Sequence, residues 1–125
     1  MNALNMAKTA YATSQTTIST PRGIEYEAFA RVTHRLKSAA EAGRSGFGQL
    51  AQAVHRNRQL WTMLAADVAE HDNGLPQELR ARIFYLAEFT NQHSRAVLKD
   101  PAEAAVLVEI NTAIMRGLRQ KAEAA

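Results

Sequence analysis

Four stretches of this chain carry apolar side chains at intervals of three and four, with polar residues filling the positions between. That spacing puts the apolar groups on one face of an α-helix. The first stretch, about Pro21 to Ala42, places Tyr26, Phe29, Thr33, Leu36 and Ala40 together. Thr20 is an expected N-cap and Pro21 suits the first helical position, where its missing N–H removes no hydrogen bond. Glu27–Arg31 and Lys37–Glu41 are spaced to brace the solvated side, and Gly43 is a natural left-handed stop.

The second stretch runs from about Gly46 to His71, with Ser45 as its expected cap. Its row is Leu50, Val54, Asn57 or Arg58, Trp61, Leu64 and Val68, widened by Leu60 and Met63. The break Asn73-Gly74-Leu75-Pro76 follows, with Gly74 suited to close one helix and Pro76 to open the next. A third helix is expected from about Pro76 to Leu98 through Leu79, Ile83, Leu86, Phe89, His93 and Val97, with Phe84 and Tyr85 to its side. Asp100-Pro101-Ala102-Glu103 reads as a capping box with proline at N1. The fourth helix then carries Leu107, Ile110, Ile114 and Leu118 inward to about Gln120.

No segment sustains the alternation of a strand. The expectation is an all-α fold, a small antiparallel bundle of about four main helices behind a polar N-terminal arm. Residues 1–19 read as a flexible arm, with a possible short helix at Ala3–Thr13 through Leu4, Ala7 and Tyr11. Residues 20–120 read as the bundle domain and 121–125 as a frayed tail.

Composition narrows the function. With 125 residues, 46% hydrophobic and 22% charged, the chain has the make-up of an ordered globular domain. It has no cysteine, so disulfides and thiolate chemistry are excluded. The N-terminus lacks the continuous apolar core of a signal peptide, no run is long enough to span a membrane, and a cytoplasmic location is expected. The net charge of +3 is modest, but its distribution is uneven. Arg31, Arg35, Lys37, Arg44, Arg56 and Arg58 face only Glu41 between positions 31 and 58, while acids outnumber bases from Asp67 to Glu109. Such asymmetry suits an oriented protein contact at least as well as a nucleic-acid contact.

Catalytic motifs are missing from the pattern. His34, His55, His71 and His93 form no ligand pair at metal-binding spacing. No serine stands in a nucleophile-elbow sequence, and "GRSGFG" has neither the preceding strand nor the following lysine of a phosphate loop. No catalytic, cofactor or metal residue is expected. The arginines of "HRNR" are a candidate phosphate contact, with Arg31, Arg35 and Arg44 joining them. However, Arg56 and Arg58 point about 200° apart on a helix and make no single stripe. The Asn57, Trp61, Leu64 and Val68 row, with Asp67 beside it, admits two readings. It is either the core of the bundle, with the indole N–H finding one acceptor, or the lining of a groove for a foreign amphipathic helix.

The stretch "NRQLWTMLAADVAEHDNGLPQELRARI" resembles the signature of the FlaF family of flagellar biosynthesis proteins. The matching residues are Asn57, Arg58, Trp61, Leu64, Ala65, Asp67, Asn73, Leu75, Pro76, Leu79 and Arg80. Thr20, Pro21, Arg22, Glu25, Tyr26, Thr33 and Leu36 are similar to its opening, although Gly23 and Ile24 make this first turn less polar than usual. Glu109, Ile110, Asn111, Met115, Gly117 and Leu118 are similar to its closing helix. The resemblance implies a cytoplasmic, non-enzymatic, flagellin-binding chaperone for flagellin synthesis and export, working alongside the translational regulator FlbT. Its expected client region is a terminal amphipathic helix of flagellin, with Asn57, Arg58, Trp61, Leu64, Asp67 and Leu75 as candidate contacts. The alternative is an RNA-binding regulator of flagellin expression acting through Arg31, Arg35, Arg44, Arg56 and Arg58.

Overall fold

The computed structural model describes residues 21–70 and 73–124, with side-chain environments for 26–70 and 73–117. The described residues form helices α1 (Pro21–Glu41), α2 (Phe47–Ala69), α3 (Gln77–Lys99) and α4 (Ala104–Ala124), and no strand. The all-α class follows the periodicity. Single 3-10 turns at Gly43–Gly46 and Pro101–Glu103 lead into α2 and α4. The expected helix through Leu4, Ala7 and Tyr11, the Thr20 cap, His71 and the inward position of Leu118 lie outside the described residues.

The described residues divide into two compact units: those within 32–110, and 21–31 with 111–124. The boundaries therefore fall inside α1 and α4, where the periodicity groups 20–120 as a single domain. In the second unit, Phe29 of α1 and Asn111 and Ile114 of α4 are buried. Helix α4 continues to Ala124, past the stop expected at Gln120. Its last residues, Lys121, Ala122, Glu123 and Ala124, are all strong helix formers.

The larger unit is built on an antiparallel hairpin of α2 and α3. Arg58 Nε donates to Asn91 Oδ1 at 2.9 Å, and Arg80 Nε donates to the Val68 carbonyl at 2.7 Å, so one helix ascends as the other descends. On α2 the buried positions are Leu50, Ala53, Val54, Asn57, Leu60, Trp61, Leu64 and Val68. On α3 they are Ile83, Thr90, Ser94 and Val97, so half of that inner row is polar. Ser94 satisfies its hydroxyl locally by donating to the Thr90 carbonyl at 2.7 Å. The second half of α1 contributes Val32, Leu36 and Ala39, and α4 begins with buried Ala104 and Leu107.

The connections differ from expectation in instructive ways. Gly43 does stop the first helix in the left-handed region, at φ 65°. Ser45, however, does not cap α2: its hydroxyl donates backward to the Ala42 carbonyl at 2.9 Å, inside the intervening 3-10 turn. Helix α2 ends at Ala69, before His71, because Glu70 turns extended at ψ 137°. Glu103 is not the reciprocal member of a capping box. The Asp100 N–H it would satisfy already donates to the Ala96 carbonyl at 2.9 Å. Asp100 itself does cap, accepting from the Ala102 N–H at 3.1 Å.

Burial corrects two more expectations, and the ion pairing a third. Met63 is exposed, since it lies two residues beyond Trp61 and so about 200° around the helix. Ala40 is only half-buried, and Val32 and Ala39 take its place on the inner face. Glu27–Arg31 and Lys37–Glu41 form no ion pair. The contact seen between an acidic and a basic side chain among the described residues is His93 Nε2 to Glu103 Oε1, at 3.4 Å. Exposed pairs gain only tenths of a kcal/mol and compete with hydration of two long side chains.

Candidate partner-binding site

The row singled out in the sequence is mostly interior. Asn57, Trp61 and Leu64 are at most 1% exposed, and Leu75 is 6% exposed. Only Arg58 and Asp67 keep a partial face to solvent. In the free chain, Trp61 and its neighbours fill the hairpin core, and a partner reaches them only if the hairpin opens.

Asp67 and the break after α2 form one hydrogen-bonded knot. Asn73 Nδ2 donates to the Asp67 carbonyl at 3.1 Å and to Asp67 Oδ2 at 3.3 Å, while Asn73 Oδ1 accepts from the Leu75 N–H at 3.0 Å. An asparagine is suited to this because its amide offers donors and acceptors at once. Arg80 adds a second donation from Nη2 to the Glu70 carbonyl at 2.8 Å. These carbonyls lie at and just past the end of α2, where the regular helical donors run out; backbone N–H groups of Glu70 and Asn73 reach the Asp67 and Glu70 carbonyls, and the side chains supply the rest.

The α3–α4 connection is held by a second clasp. His93 Nε2 sits 3.1 Å from the Glu103 carbonyl oxygen, to which it donates, and 3.4 Å from Oε1 of the same residue. Its ring stacks on Phe89 at a centroid distance of 5.4 Å and an angle of 11°. His93 thus has a structural role. No group of three or more metal-ligating side chains converges among the described residues.

Two features stand out among the described residues. One is a set of exposed apolar side chains on the hairpin helices: Met63 of α2 and Phe84 and Tyr85 of α3 are 64%, 51% and 66% exposed. The register of the hairpin sets Met63 level with Tyr85. A shallow hollow of about 290 Å³ lies beside Phe84, walled by Val68, Gln77, Arg80 and Ala81. The other is a cleft of about 690 Å³ at the corner between α1 and α2. Arg35, Ser38, Ala39 and Ala42 line it from one side; Ser45, Gly46, Gln49, Gln52 and Ala53 line it from the other. In the sequence Arg35 reads as one of a basic group suited to a protein or an RNA contact, and Gln49 and Gln52 belong to no motif. The signal was there: Arg35, Ser38 or Ala39, and Ala42 repeat at helical spacing, as do Ser45 or Gly46, Gln49, and Gln52 or Ala53.

Arg56 and Arg58 do not merge into a stripe. Arg56 donates to Gln59 on its own helix at 3.2 Å, and Arg58 reaches across to α3.

A family model described as flagellar protein FlaF matches residues 7–118, nearly the whole chain. The chain belongs to the FlaF family. Neither a curated protein nor a solved structure matches it. Membership makes it a flagellar protein. The FlaF-like residues of the central stretch now have physical roles: Asn57, Trp61 and Leu64 fill the hairpin core, and Asp67, Asn73, Leu75 and Arg80 close its turn. No helix among the described residues is long and apolar enough to cross a membrane.

Proposed function

We propose that this FlaF-family protein binds flagellin in the cytoplasm and holds it in an export-ready form, without catalysing a reaction and without a cofactor. FlbT is the second partner this reading expects. The observation that carries it is the trio Met63, Phe84 and Tyr85, left more than half exposed on one helical hairpin of a flagellar-family chain. Large apolar side chains left this exposed to water favour a protein contact. Amphipathic helices at the ends of flagellin bury their apolar faces in the filament, and before assembly those faces need cover. A second helical surface supplies it.

The RNA-binding alternative has less support. Of the five arginines it would use, Arg31, Arg35, Arg44, Arg56 and Arg58, two are partly committed to the protein, Arg58 to Asn91 and Arg56 to Gln59.

Co-purification with monomeric flagellin, followed by calorimetric titration at low and high salt, tests the proposal. A stoichiometric complex that persists at high salt supports it. Absence of flagellin binding, with steeply salt-dependent capture of flagellin message, would overturn it, because phosphate contacts release counterions.

A further inference from the structure

We infer that the cleft between α1 and α2 docks an acidic segment of the flagellin client, with Arg35 as its anchor. This rests on the flagellin-binding reading above and adds to it a subsite and a chemistry. The cleft, at about 690 Å³, is large enough to take several side chains of a docked segment. Its lining holds one cation, Arg35, and no acid. Arg35 is exposed and has neither a hydrogen bond nor an ion pair among the described residues. A guanidinium presents a planar fork of donors that matches a carboxylate.

The neighbouring groups extend the same preference. Ser38 lies one turn beyond Arg35, and Gln49 and Gln52 face the cleft from α2 as exposed donors. Between them the floor is made of small residues, and at Gly46 the two segments approach so closely that a Cβ would sit 2.6 Å from the Ala39 carbonyl oxygen. The chain itself fills the space at Gly46; elsewhere on the floor the small side chains of Ala42, Ser45 and Ala53 put no bulk in the way of a docked segment.

Charge selects the occupant. Residues 1–20 of this chain contain Lys8 and no acid, so they do not complement Arg35. A phosphate backbone would complement it, but no aromatic ring lines the cleft to stack a base. An acidic polypeptide segment satisfies the anchor, the amide donors and the small floor together.

The test is titration of purified monomeric flagellin into the full chain at two salt concentrations, with Arg35→Gln, Arg35→Glu and, as a charge control on exposed α3, Arg82→Gln. Thermal melting confirms that each variant folds, and because Arg35 is exposed the melts should coincide with that of the parent. Arg35→Glu should weaken flagellin binding at least about tenfold, and Arg35→Gln should flatten its salt dependence, as loss of a charge-assisted contact requires. Arg82→Gln should bind as the parent does. If the parent binds and Arg35→Glu binds equally well, the cleft is not the docking site, while the flagellin reading stands. Equal losses in the Arg35 and Arg82 variants would overturn the inference in favour of net charge. So would an Arg35→Glu change confined to self-association or to RNA retention. If the parent itself binds no flagellin, the underlying reading fails and the subsite falls with it.

Discussion

Arg80, in the first turn of α3, donates from Nε to the Val68 carbonyl in the last turn of α2 at 2.7 Å. The same guanidinium reaches the Glu70 carbonyl at 2.8 Å. One side chain thus covers carbonyls at two successive exits of α2 and ties the start of α3 to them. A positive group there also complements the negative end of the helix dipole.

Arg80→Met should therefore lower stability by about 1–3 kcal/mol, the range for hydrogen bonds to a charged group at a half-buried site. Arg80→Lys should recover only part of it, because an ammonium lacks the fork that spans two carbonyls. Urea unfolding of the three proteins checks this, and equal midpoints for Met and Arg would contradict the capping role.

Trp61→Ala should cost about 3–5 kcal/mol, since the indole is 1% exposed in the hairpin core. The readout is a denaturation midpoint. An unchanged midpoint with lost flagellin binding would mean that the ring faces a groove in solution.

Gly46→Ala should destabilise the α1–α2 corner by about 1–3 kcal/mol. The added methyl would sit 2.6 Å from the Ala39 carbonyl oxygen and 2.8 Å from the Ala42 Cβ, and the nearer obstacle is backbone that cannot rotate away. Gly48→Ala is the control: nothing lies within 4 Å of a Cβ placed there, so in the first turn of α2 alanine should stabilise slightly. A melting comparison with both variants equal would refute the close-approach argument.

Thr90→Val should raise stability by about 1 kcal/mol. Thr90 is fully buried and its Oγ1 has no hydrogen-bond partner, so the isosteric methyl removes a desolvation cost and leaves the shape intact. A lower melting temperature for Thr90→Val would show that the hydroxyl is satisfied in solution.

Much of the fold was legible because a helix repeats every 3.6 residues whatever it packs against. Leu50, Val54, Trp61, Leu64 and Val68 form the inner row they spell, and Gly43 ends its helix where only glycine is at ease. Met63 shows the limit of counting apolar residues rather than angles: it belongs to the sequence of the stripe but not to its face. Thr90 and Ser94 show another limit. They are buried because of what packs over them, and no local property of threonine or serine announces it.

The candidate sites divide in the same way. Asn57, Trp61, Leu64 and Leu75 stood out by residue type, and their identity is real, yet folding encloses them. The exposure of Met63, Phe84 and Tyr85 is fixed only by what the fold leaves uncovered, and the cleft around Arg35 emerges only when separate turns of α1 and α2 are set side by side.

What the sequence determined by itself is therefore the local and the periodic: an all-α chain, four described helices, a glycine stop, an Asp100 cap and FlaF membership. What the tertiary structure decided is which groups meet. Arg80 finds its carbonyls because α2 ends at Ala69, Glu103 turns to His93 because the Asp100 N–H is already taken, and Trp61 is core because α3 packs beside α2. Hydrogen bonding and burial depend on neighbours far apart in sequence, and only the folded chain supplies them.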